Sequence, residues 1–401
     1  MNCNLYFSVP GVICAAGNDA TSLWNSCISA NQDGIKIVSA ISGKDFFVGK
    51  IDDKFLPPVP FAKYDMRIIR ILNNALNQIE SFVENAKSKF GCDRVGVCLG
   101  SCDNGSEFSL KGHRSYFENG QFPLDYELDV QGADYPATFA KSKFGLTGPA
   151  FVFSTACSSS ASAIIKAKEL ILADIIDAAI VGGVDVASDT VLLGFDSLEA
   201  VSDEIANPFS KNRKGITLGE GAGVFVLSKD ESIFGDNRVS VKLLGTGESS
   251  DASHMTAPLE DGSGAAQAIK EALTDSKLSV NDIDYLNLHG TGTILNDSME
   301  SKAVSNVFGE YANLMPCSST KPLMGHTLGA SGAIELAVCY MTLLNSSQKK
   351  LPVHKFDGVL DENLPKLNFV TSDFVLKKEI KVTMSNSFGF GGCNVSLIIG
   401  K

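Results

Sequence analysis

No Cys-x-x-Cys pair occurs in the chain, and none of its ten cysteines stands with histidine at zinc-ligand spacing. This removes a structural zinc knot and a thioredoxin-type redox centre. No apolar run approaches the roughly 20 residues that span a bilayer, which excludes a transmembrane helix. The apolar residues 4–14 lack the Lys/Arg cluster of an export signal, so they read as a buried first strand. A cytoplasmic chain with reduced thiols is therefore expected. Low-complexity segments, long charge blocks and Pro/Ser-rich linkers are also missing, and nothing marks loosely tethered domains. Positive charge is in deficit: 34 Lys and Arg against 46 Asp and Glu leave a net charge of -12. Such a field repels polyphosphate and argues against general nucleic-acid or anionic-membrane binding.

What is present is ordinary globular composition, 401 residues of which 44% are hydrophobic, enough for two domains or one double-sized body. Short β-branched runs at residues 94–99, 151–153 and 178–181 alternate with helical stretches at 159–173 and 264–273. That alternation predicts an α/β fold. A faint echo links residues 157–165 with 327–335, since both open on small side chains and then turn apolar. Small residues at both helix starts suit close packing in a crowded interior.

Four segments are candidates for chemistry. In the first, a strand precedes Ser154-Thr155-Ala156-Cys157 and a helix follows. A thiol at a helix N-terminus has its thiolate favoured by the peptide dipole, which predicts a lowered pKa and a nucleophile. The same pattern also fits a cysteine that merely packs in the core. The second segment ends a strand at His289-Gly290-Thr291-Gly292-Thr293, where glycines admit a substrate to the backbone and two hydroxyls offer polar contacts. A plain strand exit is the alternative. The third, Lys321-Pro322-Leu323-Met324-Gly325-His326-Thr327-Leu328-Gly329-Ala330-Ser331-Gly332, sets a histidine before a small-residue helix. A lone histidine is more often structural than catalytic, but here two of only five lie in Gly-rich turns. The fourth, Asn386-Ser387-Phe388-Gly389-Phe390-Gly391-Gly392-Cys393-Asn394, interleaves aromatics with glycines, as a movable lid with oxyanion-binding N–H groups would, or a tight turn before a last strand.

In this order the four segments closely resemble the Cys-His-His beta-ketoacyl-acyl carrier protein synthases, from about Gly11 to Ile399. Gly182-Gly183-Val184-Asp185, Asn207-Pro208-Phe209 and Leu218-Gly219-Glu220-Gly221-Ala222-Gly223 extend the match. The resemblance implies a thiolase-like α/β fold, two similar halves forming five αβαβα layers. Residues 1–235 would form the half with the nucleophilic cysteine and 236–401 the half with the two histidines, the halves meeting near Asp236. It further implies decarboxylative condensation of an acyl thioester with a malonyl thioester, in fatty-acid or polyketide (including polyene) chain elongation. Cys157 would be the nucleophile, His289 and His326 the catalytic imidazoles, with Lys321 and Glu335 supporting them. Backbone N–H groups of Cys157 and Phe390 would form the oxyanion hole, Phe390 and Phe388 the gate, and Thr291 and Thr293 the substrate-arm contacts. No cofactor and no metal are implied. Two departures from the family pattern stand out: Ser210 where many relatives carry aspartate, and Cys393 where they carry threonine.

The implied partners are acyl- and malonyl-loaded carrier protein, together with a second synthase subunit as homodimer or heterodimer. Family carriers are acidic, and Lys63, Arg67 and Arg70, at i, i+4 and i+7, together with Lys211, Arg213 and Lys214, are the candidate docking cations. Rival readings are a thiol hydrolase, a thiolase or initiating synthase with a Cys-His-Cys or Cys-His-Asn set, and the chain-length-controlling member of a heterodimer. The His326 context and the retained Cys157 speak against them.

Overall fold

The structure is a computed structural model that describes residues 4–235, 239–376 and 378–401. Cys3 and the expected junction at Asp236 lie outside the described residues. Fifteen strands are described. In the first part of the chain they are β1 (Leu5–Phe7), β2 (Gly11–Cys14), β3 (Ile35–Ser39), β4 (Asp45–Gly49), β5 (Val95–Gly100), β6 (Ala150–Phe153), β7 (Ala178–Asp185), β8 (Leu218–Gly219) and β9 (Gly221–Ser228). The remainder are β10 (Lys242–Ser250), β11 (Tyr285–Asn287), β12 (Pro316–Ser318), β13 (Asn368–Phe369), β14 (Val382–Phe388) and β15 (Cys393–Gly400).

The pairing repeats. In the first series β2 lies antiparallel to β9, β9 antiparallel to β7, and β7, β5 and β6 run parallel. In the second, β10 lies antiparallel to β15, β15 antiparallel to β14, and β14, β11 and β12 run parallel. Strand β1 pairs with both β9 and β10 and so joins the two series into one hydrogen-bonded path. The expected first strand is thus two strands, split at Ser8-Val9-Pro10, because proline has no N–H to continue a ladder.

Three large apolar clusters separate the layers. One packs the helices Arg67–Gln78 and Tyr135–Phe144 on the outer face of the first series, and another packs Ser263–Ser276 and Ile294–Phe308 outside the second. Between them the third holds the helices Ser159–Leu172 and Ser331–Leu344. Helix, sheet, helix, sheet, helix gives the five layers. Both β7 and the helix Ser331–Leu344 are buried almost end to end, so they read as near-continuous apolar or small-residue runs rather than as alternating or one-sided patterns.

The small-residue echo has its explanation at the centre. A methyl on Gly332 would come within 2.9 Å of the Ala161 Cβ, and the Ala333 N–H donates to Ser160 Oγ at 3.0 Å across the helix pair. Two turns with the same backbone start these helices. Ala156 (φ 52) and Leu328 (φ 51) both adopt the left-handed conformation; each opens a three-residue 3-10 turn or immediately precedes its second residue, and a 14-residue helix follows at Ser159 and Ser331. In structural register Cys157 therefore matches Gly329, two residues further on than the alignment of residues 157 and 327 suggests.

Candidate active site

Each reactive side chain is placed by a turn whose polar groups are satisfied locally. After β6, the Thr155 N–H donates to Ser159 Oγ at 2.9 Å, Ser158 Oγ donates to the Thr155 carbonyl at 2.8 Å and Ser159 Oγ to the Ala156 carbonyl at 2.5 Å. The serines after Cys157 thus brace the turn that presents it, offsetting a left-handed alanine that costs on the order of 1 kcal/mol. Before His326, Gly325 (φ 76) passes so close to β8 that a Cβ would meet the Leu218 carbonyl at 2.4 Å. The His326 N–H donates to the Thr217 carbonyl at 2.7 Å. After β11, Glu300 accepts the N–H groups of His289 (2.8 Å) and Gly290 (2.7 Å), while Asp297 accepts those of Gly292 (3.2 Å) and Phe209 (2.7 Å).

These turns converge. His326 Nε2 lies 3.0 Å from Cys157 Sγ, and His326 Nδ1 lies 3.2 Å from Ser331 Oγ. The two imidazoles meet edge to face with ring centres 5.3 Å apart, and Phe388 packs against His289 at 5.9 Å. Lys321 Nζ lies 3.3 Å from His289 Nδ1, donates to the His289 carbonyl, and pairs with Glu335 Oε1 at 2.5 Å. Cys157, His289, His326, Lys321 and Glu335 are all 5% exposed or less. The sulfur and one ring nitrogen from each histidine lie within 4.8 Å of one another, close enough to meet a single ion. That cluster was invisible to a search for local ligand spacing.

Burial sets the protonation states. The Cys157 thiol is pushed up to about 11 by desolvation, against the pull of the Lys321 charge and the Phe390 N–H. The expected lowering by a helix terminus is therefore corrected: removal from water is the largest influence on the thiol and raises it, so the sulfur is mostly protonated at pH 7. Desolvation, then the Lys321 cation, holds His289 and His326 well below the usual imidazole range; His326 also lowers His289. Glu335 is raised to about 7 by desolvation, opposed by Lys321. The resting pair is thus a neutral thiol facing a neutral imidazole able to accept its proton.

A pocket of about 280 Å³ opens onto these groups. Cys157, His289, His326, Thr291, Thr293, Phe388 and Phe390 all line it. Thr291 Oγ1 and Thr293 Oγ1 are 3.1 Å apart, and Thr293 also accepts the Asn296 N–H at the head of a helix. Phe390 stacks on Phe195 at 5.7 Å and is followed by two glycines of positive φ, 391 and 392, whereas Phe388 is a buried residue of the β14 ladder. Sequence reasoning did not single out Phe195, Asp297, Glu300 or Ser331. The signal for Asp297 and Glu300 was acidic residues in the first two turns of a helix that follows a Gly-rich loop.

The docking cations fare differently. The helix starts at Arg67, with Lys63 on a separate 3-10 turn, so the three do not share one helical face. Arg67 grips the buried Glu220 with Nε and a terminal nitrogen at 2.8 and 2.5 Å and also holds Asp53. Arg70 pairs with Asp65, Arg213 with Asp361, Lys214 with Asp203 and Glu204, and Lys63 with Glu127 and Asp129. Only Lys211 of the six has no ion-pair partner among the described residues. Reversing Arg67 would leave Glu220 buried beside a second carboxylate, so Arg67→Glu is expected to destabilise by about 3–5 kcal/mol. Urea denaturation measures this; a loss below about 1 kcal/mol would show a surface role instead.

Ser210 has a compensation. Its Oγ donates to Asp357 Oδ1 at 2.8 Å, so a carboxylate reaches this corner from elsewhere in the chain. Nearby His354 is buried, stacks on Phe369 at 4.3 Å, and is lowered to about 4 by desolvation, against its bond to the Pro208 carbonyl. The unfolded chain binds this proton below about pH 6.5 and the native state does not, so His354 costs stability as pH falls from about 6.5 towards 4. The stability gap between wild type and His354→Gln should shrink by about 1.4 kcal/mol per pH unit in that window, about 2 kcal/mol between pH 6.5 and 5. A gap independent of pH would exclude it.

A cysteine-bearing turn backed by two neutral imidazoles and a buried lysine, at the meeting of two matching α/β halves, fits an acyl-transferring condensing site on a thiolase-like fold. The comparisons agree. Residues 67–232 match the beta-ketoacyl synthase N-terminal domain and residues 241–351 its C-terminal domain. Nodulation protein E of Rhizobium meliloti is 30% identical over 96% of both chains. The 3-oxoacyl-[acyl-carrier-protein] synthase 2 of Staphylococcus aureus is 29% identical over 98% of this chain and 96% of its own. Among solved structures, the ketosynthase ApeO in complex with its chain length factor ApeC, from Xenorhabdus doucetiae, matches with TM-score 0.89 and 38% identity over 99% and 98% of the chains. The chain belongs to the beta-ketoacyl synthase family. It is an acyl-transferring condensing enzyme of fatty-acid or polyketide synthesis.

Proposed function

We propose that Cys157 takes the acyl group from a carrier-protein thioester and that His289 and His326 hold the malonyl carbonyl during decarboxylation. In the first step the thiol proton moves to His326 Nε2, sulfur bonds to the acyl carbon and the carrier thiol leaves with a proton. Malonyl thioester then loses carbon dioxide, and the electron pair of the broken bond forms the carbon nucleophile. This carbon attacks acyl-Cys157; the C–S bond breaks, the cysteine leaves as thiolate and takes up a proton from solvent water, its first proton having left with the carrier thiol. The N–H groups of Cys157 and Phe390 receive the developing oxyanion. Neutral imidazoles suit a reaction whose carbanion comes from carbon dioxide loss, since donors are needed more than a strong base. Lys321 and Glu335 hold His289 in place, Thr291 and Thr293 contact the carrier's arm, and Phe390 is the gate. Phe388 serves as a fixed wall beside it.

The observation that carries this reading is the 3.0 Å contact of Cys157 with His326 inside a pocket that His289 also lines. The partners are acyl- and malonyl-loaded carrier protein, and the setting is cytoplasmic; among the described residues no helix is long and apolar enough to cross a membrane. The ApeO structure, determined with a chain length factor, favours a second reading in which this chain is the active subunit of such a heterodimer. Incubation with malonyl carrier and a panel of acyl carriers, followed by intact-protein mass spectrometry and solution mass, tests both. An acyl adduct and carbon dioxide release are expected. Thioester hydrolysis without carbon dioxide release would replace condensation by a thiol hydrolase.

A further inference from the structure

Asp185 ends β7 and is 1% exposed, yet nothing in the proposed chemistry uses it. Its carboxylate draws together three donors from two distant segments. Oδ1 accepts from Ser101 Oγ at 3.1 Å, and the Cys102 N–H lies 3.1 and 3.0 Å from its two oxygens. Oδ2 accepts the Gly329 N–H at 2.6 Å. Each contact leads to a reacting group. The loop that carries Cys102 touches the nucleophile turn, where Cys102 Sγ donates to the Ala156 carbonyl at 3.3 Å. Gly329 lies three residues beyond His326, in the turn that repeats the backbone of the Cys157 turn. The N–H of Gly329, which matches that of Cys157, thus serves the Asp185 side chain, present in every state, whereas the one at Cys157 is left for a charge that exists only during reaction.

Resting on the reading of Cys157 and His326 given above, we propose that Asp185 is a positioning residue that clamps the two matching turns and so sets the Sγ–Nε2 approach. A buried carboxylate with three donors is a rigid fixture, since leaving those donors unmet in the interior costs about 1–3 kcal/mol each. Reacting groups held this way tolerate little movement; a displacement of about 1 Å can cost about 10²-fold in rate.

Two substitutions attack the clamp from opposite sides. Asp185→Asn keeps the shape but sets an NH₂ against one of the N–H donors. Gly329→Ala keeps the carboxylate and wedges a methyl 2.6 Å from Oδ2 and 3.1 Å from the Cys102 nitrogen; Gly329 is not among the positive-φ residues, so alanine fits its backbone. For each variant, kcat and KM for malonyl carrier, the melting temperature and the rate of Cys157 alkylation by iodoacetamide are measured. The expected result is a fall in kcat of about 10²-fold and slower alkylation, with KM within twofold and the melting temperature close to wild type. Unchanged kcat in either folded variant would overturn the proposal. So would a loss of kcat that follows a matching loss of melting temperature in both. Wild type is assayed first: if it does not condense, the functional reading fails, while alkylation still reports on the clamp.

Discussion

Cys157→Ala is expected to remove acyl loading altogether and to bring condensation to background. Nothing else described lies where this sulfur does: it is the only thiol within reach of both imidazoles among the described residues, 3.0 Å from His326 Nε2. The lost step is covalent, so no strengthening of binding can replace it. The fold should survive, because alanine fills most of the same volume and Cys157 contributes little apolar surface to its pocket. Malonyl decarboxylation should persist at a measurable rate, since both histidines and the Lys321–Glu335 pair are untouched. Intact-protein mass spectrometry and carbon dioxide release decide it: an acylated Cys157→Ala protein would refute the assignment of the nucleophile.

The second large effect should separate the two histidines, which look equivalent in sequence but not in space. His326 Nε2 lies 3.0 Å from the thiol, whereas His289 makes no hydrogen bond to it among those described and has its Nδ1 facing Lys321. His289→Ala should therefore reduce condensation by about 10²–10⁴-fold while acyl loading stays within about threefold of wild type. His326→Ala should reduce both, because loading begins with transfer of the thiol proton to its Nε2. Single-turnover loading monitored by mass, set against steady-state condensation, measures each step. Loading that survives intact in His326→Ala, or fails in His289→Ala, would reverse the assignment.

Much of this was legible along the chain. The strand–turn–helix at residues 151–172, the exit of β11 at His289 and the glycine-interrupted aromatics at 388–392 are local patterns, and local backbone chemistry writes them. The contacts of Asp185, Asp297 and Glu300 were not legible, although the residues stand in recognisable segments. Asp297 and Glu300 act on the turn that precedes their own helix, and Asp185 joins residues 101, 102 and 329; no periodicity reports such contacts. The pairing of the candidate docking cations was hidden for the same reason. Arg67 and Arg213 look like free surface charges until Glu220 and Asp361 arrive from far along the chain.

By itself, then, the sequence determined the α/β alternation and the four Cys-, His- and Gly-bearing segments with their order, because these depend on residue type and near neighbours, while the parts expected of the thiol, the imidazoles and the lysine came from the resemblance of the four segments taken together. Only the tertiary structure decided which imidazole meets the sulfur and that the thiol rests protonated. It also decided that most of the expected docking charges are already paired. Those outcomes depend on burial and on distances between segments more than 100 residues apart along the chain, and desolvation, the largest influence on the thiol and on both imidazoles, exists only once the chain has closed around them.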